Sequence, residues 1–295
     1  MSVKILQFGT TGQLGVELLR QAGAHDVAIT ALSRAEADLA DPAAAAARVA
    51  EHRPDLVVIA AAHTAVDAAE SERELAFAIN AESPAAIARA AAAVGAAVVN
   101  VSTDYVFDGA GGAPYGEDAA TNPINTYGAS KLAGERAVAA ANPRSLSIRT
   151  SWVVSPHGKN FVKTMLRVAA AGNPLKVVDD QSGRPTSAAD LADFILGIAP
   201  RLAAAEAGSP LFGVVHFANS GEVTWRGFAQ AIFAEALGDQ APDVAPTTTA
   251  EYVTPAKRPL RATMDLGRLE RDFGVVPRGW REALKDIVAE LKAQT

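Results

Sequence analysis

Lys4-Ile-Leu-Gln-Phe8 stands near the start of the chain, followed by Gly9-Thr-Thr-Gly12-Gln-Leu-Gly15 and then by Val16-Glu-Leu-Leu-Arg20. The first stretch is apolar like a buried strand, and the last has helical periodicity. Glycines between a strand and a helix allow a tight turn, and the free N–H groups at the helix N-terminus attract an anion. The order predicts a dinucleotide-binding turn, with a ligand-free turn as the alternative. Its predicted cofactor-binding residues are Gly9, Thr11, Gly12, Gln13, Leu14 and Gly15.

Four further apolar stretches alternate with alanine-rich helical patterns and predict strands: Val27–Leu32, Leu56–Ala60, Ala97–Val101 and Ser145–Thr150. Strands that are apolar on both faces and separated by helices belong to parallel sheets covered on both sides. Asp41-Pro42 and Ser83-Pro84 each predict the start of a helix, and Gly95 predicts a helix end. The sequence therefore predicts an α/β fold with a Rossmann-type doubly wound parallel sheet.

After about residue 150 the alternation becomes less regular, and loops with proline and glycine appear. Helix-like patterns cover Phe161–Ala171, Ala188–Ala204, Trp225–Leu237 and Trp280–Lys292, and strand-like pieces cover Lys176–Val178 and Val214–Ala218. We predict a cofactor-binding Rossmann domain over residues 1–150. A smaller C-terminal α/β substrate-binding lobe is predicted over residues 151–295, with part of that chain returning to the first domain.

The composition excludes several classes of protein. With 27 Lys and Arg against 33 Asp and Glu, the net charge is -6, which disfavours a nucleic-acid partner. The chain has 0 Cys, which rules out disulfides, thiolate zinc sites and a cysteine nucleophile. The 5 His are scattered without metal-ligand spacing, so we predict no metal site.

The same sequence disfavours a membrane location. The longest apolar stretch, Ala85–Val101, is interrupted by Arg89, Gly95 and Asn100 and is too short to span a bilayer. The first residues lack the basic region and long apolar region of a signal peptide. We therefore expect a cytoplasmic protein without a membrane partner.

The end of the second strand bears on the choice of cofactor. NAD-binding folds place an acidic residue there for the ribose 2′-hydroxyl, but this chain has Ser33-Arg34. A hydroxyl and a guanidinium suit a 2′-phosphate, which favours NADPH and leaves NADH possible. The alternative is that Arg34 is a solvated surface residue. Asp38 is placed near the adenine.

Tyr127-Gly-Ala-Ser-Lys131 begins a helical run, so the phenol and the ammonium share one helix face. An adjacent ammonium favours the phenolate and lowers the pKa of the tyrosine toward the working range of an acid–base catalyst. The same ammonium could bond the nicotinamide ribose. The fourth strand ends in Ser102-Thr103, which brings hydroxyls to the carboxyl edge of the sheet, where such folds bind ligands.

The glycine pattern resembles the short-chain dehydrogenase/reductase superfamily. Together with Ala60-Ala-Ala-His63-Thr-Ala-Val-Asp67, Ser102-Thr103-Asp-Tyr-Val-Phe107, Tyr127–Lys131, Arg149-Thr-Ser-Trp152-Val153 and Pro255-Ala-Lys-Arg-Pro259, the chain resembles the dTDP-4-dehydrorhamnose reductase family over nearly its whole length. The resemblance implies NADPH-dependent reduction of the C4 ketone of dTDP-4-dehydro-L-rhamnose, a nucleotide sugar, to dTDP-L-rhamnose.

The resemblance also implies roles for individual residues. Tyr127 would protonate the C4 oxygen, Lys131 would tune Tyr127 and bind the ribose, and Thr103 would supply the hydroxyl that related enzymes often take from serine. Further cofactor contacts are implied for Leu39, Ala61, Ala62, His63, Thr64 and Ser102. Asp104 and Trp152 would contact the deoxysugar, and Arg258, with Asn160 as a weaker candidate, would bind the nucleotide diphosphate.

Several alternatives stay open. His63 is more typical of a structural or cofactor-orienting residue than of a catalyst, Trp152 could belong to the core, and Arg258 could be a surface charge. Val154-Ser-Pro-His-Gly158 departs from the family pattern beside the sugar. Some family members dimerise through carboxylates bridged by Mg²⁺, but no such ligand set is identified here, and the chain could be a monomer or a homodimer.

Two other functions compete with the reductase. One is a different 4-epimerase or ketosugar reductase of the same superfamily, which would share the hydride-transfer residues. The other is a noncatalytic regulatory subunit that resembles the subunit of methionine adenosyltransferase. The intact set of Thr103, Tyr127 and Lys131 disfavours the noncatalytic alternative.

Overall fold

The computed structural model describes residues 2–172 and 174–294. Its strands are β1 Val3–Phe8, β2 Val27–Leu32, β3 Leu56–Ile59, β4 Ala97–Thr103, β5 Ser145–Thr150, β6 Val153–Val154, β7 Leu175–Val178, β8 Ser182–Gly183, β9 Thr186–Ser187, β10 Gly213–His216, β11 Val223–Thr224 and β12 Val244–Thr247. Its α-helices are α1 Gln13–Gln21, α2 Pro42–His52, α3 Ala68–Ser71, α4 Arg73–Phe77, α5 Ser83–Val94, α6 Thr126–Ala141, α7 Phe161–Ala170, α8 Ala188–Ala204, α9 Trp225–Leu237 and α10 Trp280–Ala293.

The central sheet has the strand order β10-β5-β4-β3-β1-β2, and every neighbouring pair in it is parallel. From β1 the chain first adds β2 on one side and then β3, β4 and β5 on the other. The order therefore reverses beside β1, which creates a crevice at the carboxyl ends of the strands. The Rossmann-type fold predicted from the sequence is confirmed.

The two faces of the sheet are covered by helices. On one face α1 packs against α8, and on the other α5 packs between α2 and α6. The buried residues Val57, Val98 and Leu146 contribute apolar side chains from neighbouring strands to these cores. A separate core joins α7, α9 and α10. The sheet is thus buried on both sides, as its apolar strands require.

Segments after residue 150 contribute to both parts of the molecule. Strand β10 pairs with β5 at the edge of the central sheet, and α8 packs beneath that sheet. The smaller pairs β6 with β9, β7 with β12, and β8 with β11 lie outside it. The division into domains at residues 1–150 and 151–295 stays a prediction.

The two predicted helix starts have different outcomes. Asp41 caps α2 as predicted, because its carboxylate accepts hydrogen bonds from the backbone N–H groups of Ala43 and Ala44. The α-helix α5 does begin at Ser83, but the capping role predicted for Ser83 is wrong. A π-helical turn over Ala78–Glu82 joins α4 to α5, so Ser83 lies inside a continuous helical segment. The Ser83 side chain is buried there and makes no capping bond.

No helix within residues 2–172 and 174–294 combines the length and the apolar character that crossing a bilayer requires.

Candidate active site

A cleft of about 660 Å³ opens at the carboxyl edge of the central sheet. Most of the residues predicted for the site line it: Gly9, Thr11, Gly12, Gln13, Leu14, Arg34, Asp38, Leu39, Ala61, Ala62, Thr64, Ser102, Thr103, Asp104, Tyr127, Lys131 and Trp152. Five predicted residues lie outside this lining, as judged over the described part of the chain: Gly15, Ser33, His63, Asn160 and Arg258.

A buried glutamine fixes both ends of the glycine turn. Gln7, at 0% exposure, donates from Nε2 to the carbonyl oxygens of Gly9 and Gly15, at 2.7 Å and 3.0 Å. A Cβ on Gly15 would lie 2.4 Å from the Gly9 oxygen, so the helix can approach the strand only with glycine there. Gly15 therefore allows the tight turn but does not itself line the cleft, as judged over the described residues.

The turn also fits a dinucleotide. The space around a Cβ on Gly12 holds no described heavy atom within 4 Å, and Gly12 precedes the first residue of α1. Bare backbone and the unbonded N–H groups of a helix N-terminus are what a pyrophosphate requires. Gly12, Gln13 and Leu14 line the cleft at this point and would hold that group.

Ser33 and Arg34, at the end of β2, were predicted to select the cofactor, but only Arg34 lines the cleft. The backbone N–H and hydroxyl of Ser33 both donate to Glu36, so the structure does not bring Ser33 into the cleft. Arg34 does line the cleft, is 78% exposed, and forms an ion pair with Asp38 at 3.3 Å. Arg34 is therefore the cationic group that a 2′-phosphate could reach.

The chain that leaves β3 is fixed by a residue that the sequence analysis did not select. Asn80, on the π-helical turn, accepts a bond from the His63 N–H at 2.8 Å and donates to the His63 carbonyl at 3.0 Å. It also donates to Ser130 on α6. The imidazole of His63 contacts Glu72 at 2.8 Å, outside the cleft. Asn80 thus joins the segment that follows β3 to α6, the helix that carries Tyr127.

Tyr127 and Thr103 meet inside the cleft. Tyr127 lies in the first turn of α6, and Asn125 begins that helix by accepting a hydrogen bond from Gly128 N–H. The Thr103 hydroxyl lies close enough to the Tyr127 phenol to favour its ionised form. The same hydroxyl donates to Asp104 at 3.1 Å and accepts from the Tyr105 N–H at 3.2 Å. The phenol of Tyr127, the hydroxyl of Thr103 and the carboxyl group of Asp104 therefore line one part of the cleft.

The protonation of this group differs from the sequence prediction. Burial raises the pKa of Tyr127 to about 12, although the nearby Thr103 hydroxyl opposes the rise. Burial lowers the pKa of Lys131 to about 8, against the attraction of Glu135. The predicted lowering of the tyrosine pKa by Lys131 is not what dominates, because loss of water penalises both charged forms. Tyr127 therefore carries its proton at neutral pH.

A buried ion pair lies beneath the hydroxyls of β4. Arg149 Nη2 and Glu135 Oε2 are 2.8 Å apart, and each side chain is 4% exposed. Ser102 donates its hydroxyl hydrogen to Glu135, and the Arg149 guanidinium lies 5.1 Å from the centre of the Phe107 ring. This pair connects α6 to β4 and β5 and supports the floor of the cleft.

Trp152 closes the cleft from the second part of the chain. Its φ of 45° lies in the left-handed region, which is uncommon for a residue with a side chain. Its ring stacks on Trp225 with centroids 3.5 Å apart and planes at 9°. A Cβ on Gly183 would lie 2.7 Å from the Trp152 ring, so that side is packed as well. The indole is a rigid wall.

Asn160 and Arg258 have protein partners in place of cleft contacts. Asn160 caps α7 by accepting from Lys163 N–H, and its amide donates to Gln13 Oε1 at 2.9 Å. Arg258 makes two bonds to the Asp67 carboxylate, at 2.9 Å and 2.7 Å. Both residues thereby brace segments that border the cleft. Their predicted contact with a diphosphate stays a prediction.

The cleft also contains residues that the sequence analysis did not select: Tyr105, Lys159 and Trp225. Lys159 follows the unusual Val154–Gly158 segment and has no hydrogen-bond or ion-pair partner among the described residues. A lysine in a glycine- and proline-rich loop gives no local signal of a site. The folded chain brings this loop to the glycine turn, where a Cβ added to Gly158 would lie 3.6 Å from Gln13 Cγ.

Within residues 2–172 and 174–294, no group of three or more His, Asp or Glu side chains is arranged to hold a metal ion.

Comparisons with known proteins point to one family. The model of the RmlD substrate binding domain matches residues 3–293. A dTDP-4-dehydrorhamnose reductase of Sinorhizobium fredii is 44% identical over 283 residues, which is 95% of each chain. The crystal structure of a Clostridium acetobutylicum dTDP-4-dehydrorhamnose reductase has a TM-score of 0.91 at 38% identity, covering 98% of this chain and 99% of that one.

A further solved structure contains a cofactor. The Bacillus anthracis dTDP-4-dehydrorhamnose reductase, in complex with NADP, has a TM-score of 0.91 and 35% identity and covers 98% of this chain and 100% of its own. The family model spans nearly the whole chain, and these relatives are covered over 95% or more of their own lengths. This chain belongs to the dTDP-4-dehydrorhamnose reductase family.

Proposed function

We propose that this protein reduces the C4 ketone of dTDP-4-dehydro-L-rhamnose to dTDP-L-rhamnose, with NADPH as the reductant. The observation that carries the proposal is the placement of Tyr127, Thr103 and Lys131 on the wall of the same cleft into which the glycine turn opens. A dinucleotide on that turn and a ketone beside Tyr127 would share one enclosed space. Relatives with the corresponding name match the whole chain.

The residues of this chain have complementary tasks in the reaction. NADPH, when bound, supplies the hydride. Tyr127 holds a proton at its phenol oxygen, because burial keeps the phenolate unfavourable, and delivers it to the C4 oxygen as negative charge develops there. Thr103 orients the phenol, and Lys131 would bind the ribose hydroxyls. Trp152 would shield the sugar from water.

A direct assay tests the proposal. Purified protein with NADPH and the dTDP-ketosugar is expected to oxidise one NADPH for each dTDP-L-rhamnose formed. A 4-epimerase would instead turn over without added reductant and retain its nicotinamide through purification. A noncatalytic subunit would oxidise no NADPH at all, so the three functions give three distinct results.

Arg34 is proposed to select NADPH over NADH. Arg34→Ala is expected to lower kcat/KM for NADPH by about 10- to 100-fold, since a hydrogen bond to a charged group contributes roughly 1.5–3 kcal/mol. The value for NADH should hardly change. Steady-state kinetics with each cofactor measure this, and Arg89→Ala, an exposed arginine on α5, is the matched control. Equal losses with both cofactors would show that Arg34 only shapes the loop.

Arg258 is proposed to bind the diphosphate of the sugar substrate. To do so, it would release its present partner, Asp67. Arg258→Ala is expected to raise KM for the dTDP-sugar by about 10-fold or more without changing NADPH affinity. Asp67→Asn is the comparison, because it frees the guanidinium and should leave KM unchanged or lower. If both substitutions raise KM equally, the Asp67–Arg258 pair only holds the loop that contains Arg258 in place. Competition of free dTDP with NADPH would also contradict the assignment.

Several broader points remain part of the proposal. The substrate is a small nucleotide sugar, and the sequence predictions of a cytoplasmic protein and of a monomer or homodimer are retained. For Mg²⁺, no ligand set is identified within the described residues.

A further inference from the structure

Lys159 is a positively charged side chain on the wall of the cleft that the proposed mechanism does not use. It is exposed, and it has no hydrogen-bond or ion-pair partner among the described residues. We propose that the Lys159 ammonium group binds the pyrophosphate of NADPH together with the N–H groups of the glycine turn. The inference rests on the proposed function, because it takes NADPH as the cofactor, and it gives a role to the unusual Val154–Gly158 segment.

The loop that carries Lys159 lies against the start of α1. Gln13, the first residue of that helix, donates from Nε2 to the Val153 carbonyl oxygen at 3.0 Å. Its Oε1 accepts hydrogen bonds from the Ser155 hydroxyl and the Asn160 amide, both at 2.9 Å. One glutamine side chain therefore holds both ends of the loop. The same glutamine lines the cleft at the point where the pyrophosphate is expected.

A second contact fastens this loop one helical turn further along α1. His157 Nε2 lies 3.0 Å from Glu17 Oε1, and the Glu17 side chain is only 1% exposed. Positions 13 and 17 are four residues apart and share one face of the helix. Gly158 has a φ of 63°, which glycine adopts readily, so the chain turns sharply just before Lys159. The loop is thus attached to α1 on both sides of Lys159, which keeps the lysine near the glycine turn.

The charges of the cleft also favour an anion at this point. The described residues that line it include the cations Arg34, Lys131 and Lys159 and the acids Asp38 and Asp104. Arg34 pairs with Asp38 at the end of β2, and Lys131 is buried on α6. The glycine turn itself offers only neutral N–H groups and the positive end of the helix dipole. Among these cations, Lys159 is the one whose loop contacts the turn.

The ligand chemistry that fits this arrangement is a diphosphate. A lysine ammonium group is a compact point charge that binds phosphate oxygens. NADPH and the dTDP-sugar both contain a diphosphate, but the cofactor's is expected at Gly12, the residue before Gln13. We therefore assign Lys159 to the cofactor. Because NADH has the same pyrophosphate, Lys159 should strengthen the binding of both cofactors, whereas Arg34 would act on the 2′-phosphate of NADPH alone.

Fluorescence titration with NADPH and with NADH, in the absence of sugar, tests the assignment directly. Lys159→Gln is expected to raise Kd about 10-fold for both cofactors, the lower end for a hydrogen bond to a charged group. Arg34→Ala should instead raise Kd for NADPH alone. Lys159→Arg keeps the charge and should stay close to the wild-type value. Lys285→Gln, at an exposed lysine on α10 outside the cleft lining, is the control.

The salt dependence of binding shows whether the contribution of Lys159 is electrostatic. Between about 50 and 500 mM NaCl, the Kd of wild-type protein for NADH should rise more steeply than the Kd of Lys159→Gln, because ions screen the attraction between ammonium and phosphate. NADH is the probe for this measurement since it lacks the 2′-phosphate that Arg34 would contact. Equal salt dependence in the two proteins would contradict a direct contact between Lys159 and the pyrophosphate.

A double-variant cycle tests whether the loop holds the lysine in place. His157→Ala removes the contact with Glu17 and is expected to raise Kd for NADH about 2- to 5-fold, the lower end for coupled neighbours. In the Lys159→Gln background the same change should have hardly any effect. Circular dichroism confirms that each variant is folded. Equal increases in both backgrounds would overturn the role given to the loop.

The outcomes for the cofactor and for the sugar are distinct. A raised Kd for both cofactors in Lys159→Gln, with near wild-type binding in Lys159→Arg, supports the assignment. Unchanged Kd values in Lys159→Gln overturn it, and a raised KM for the dTDP-sugar in that case assigns the lysine to the substrate diphosphate. Wild-type protein that binds NADPH but oxidises none with the dTDP-ketosugar contradicts the proposed function but not the assignment of Lys159, since binding is measured without the sugar.

Discussion

Tyr127→Phe is expected to lower kcat about 100- to 10,000-fold while NADPH binds with unchanged affinity. The phenol is the proton donor in the proposed reaction, and its pKa of about 12 keeps it protonated at neutral pH. Phenylalanine retains the ring and its edge contact with Tyr105, at 5.8 Å between centroids, so packing should be preserved. Steady-state assays at saturating sugar measure the loss, and fluorescence titration measures NADPH affinity.

Tyr115→Phe is the matched control for this variant. Tyr115 also has a bonded hydroxyl, which donates to Asp108 at 2.6 Å, but it does not line the described cleft. We expect its kcat to stay near the wild-type value. If Tyr127→Phe keeps more than about a tenth of wild-type kcat, Tyr127 is not the proton donor and the proposed mechanism is wrong.

Arg149→Met is expected to cost about 3–5 kcal/mol of the free energy of unfolding, because it leaves Glu135 as a buried carboxylate without its cation. Both side chains are only 4% exposed, and three nitrogen–oxygen bonds of 2.8–3.2 Å join them. Methionine carries no charge, so the loss reports the broken pair together with the bond from Arg149 to the Glu117 carbonyl oxygen. Urea unfolding followed by circular dichroism measures the free energy.

Two comparisons locate the origin of this loss. Arg48 pairs with Glu51 at the surface, with side chains 41% and 59% exposed, so Arg48→Met should cost at most about 1 kcal/mol. The double variant Arg149→Met with Glu135→Leu removes both charges and should recover much of the stability. An Arg149→Met protein as stable as Arg48→Met would mean that Glu135 finds another partner or takes up a proton.

Local patterns in the sequence predicted the secondary structure well where the pattern itself decides the element. The strand Ser145–Thr150 and the helices Ala188–Ala204 and Trp225–Leu237 have the predicted bounds, since their apolar periodicity and flanking residues are local. The N-cap predicted at Ser83 failed for a tertiary reason. Asn80 bonds to His63 and Ser130, and these contacts accompany a π-helical turn that continues the helix past Ser83-Pro84.

The candidate site also has features that the local sequence predicts and others that depend on tertiary contacts. The glycine turn and the Tyr127–Lys131 spacing are local features, so the sequence by itself predicted that these residues would come together at one edge of the sheet, and they do line one cleft. The partners of Arg258 and Asn160 could not be predicted in this way. Asp67 lies 191 residues from Arg258, and Gln13 lies 147 residues from Asn160.

Only the tertiary structure decided the charge states in the cleft. Sequence spacing placed an ammonium beside a phenol and predicted a lowered pKa for Tyr127, but the folded chain buries both groups and raises it. Burial likewise turns Asp104, an ordinary carboxylate in sequence, into a group that holds a proton near neutral pH. Spacing along a helix is set by the residues themselves, whereas the loss of water around a side chain depends on every segment packed over it.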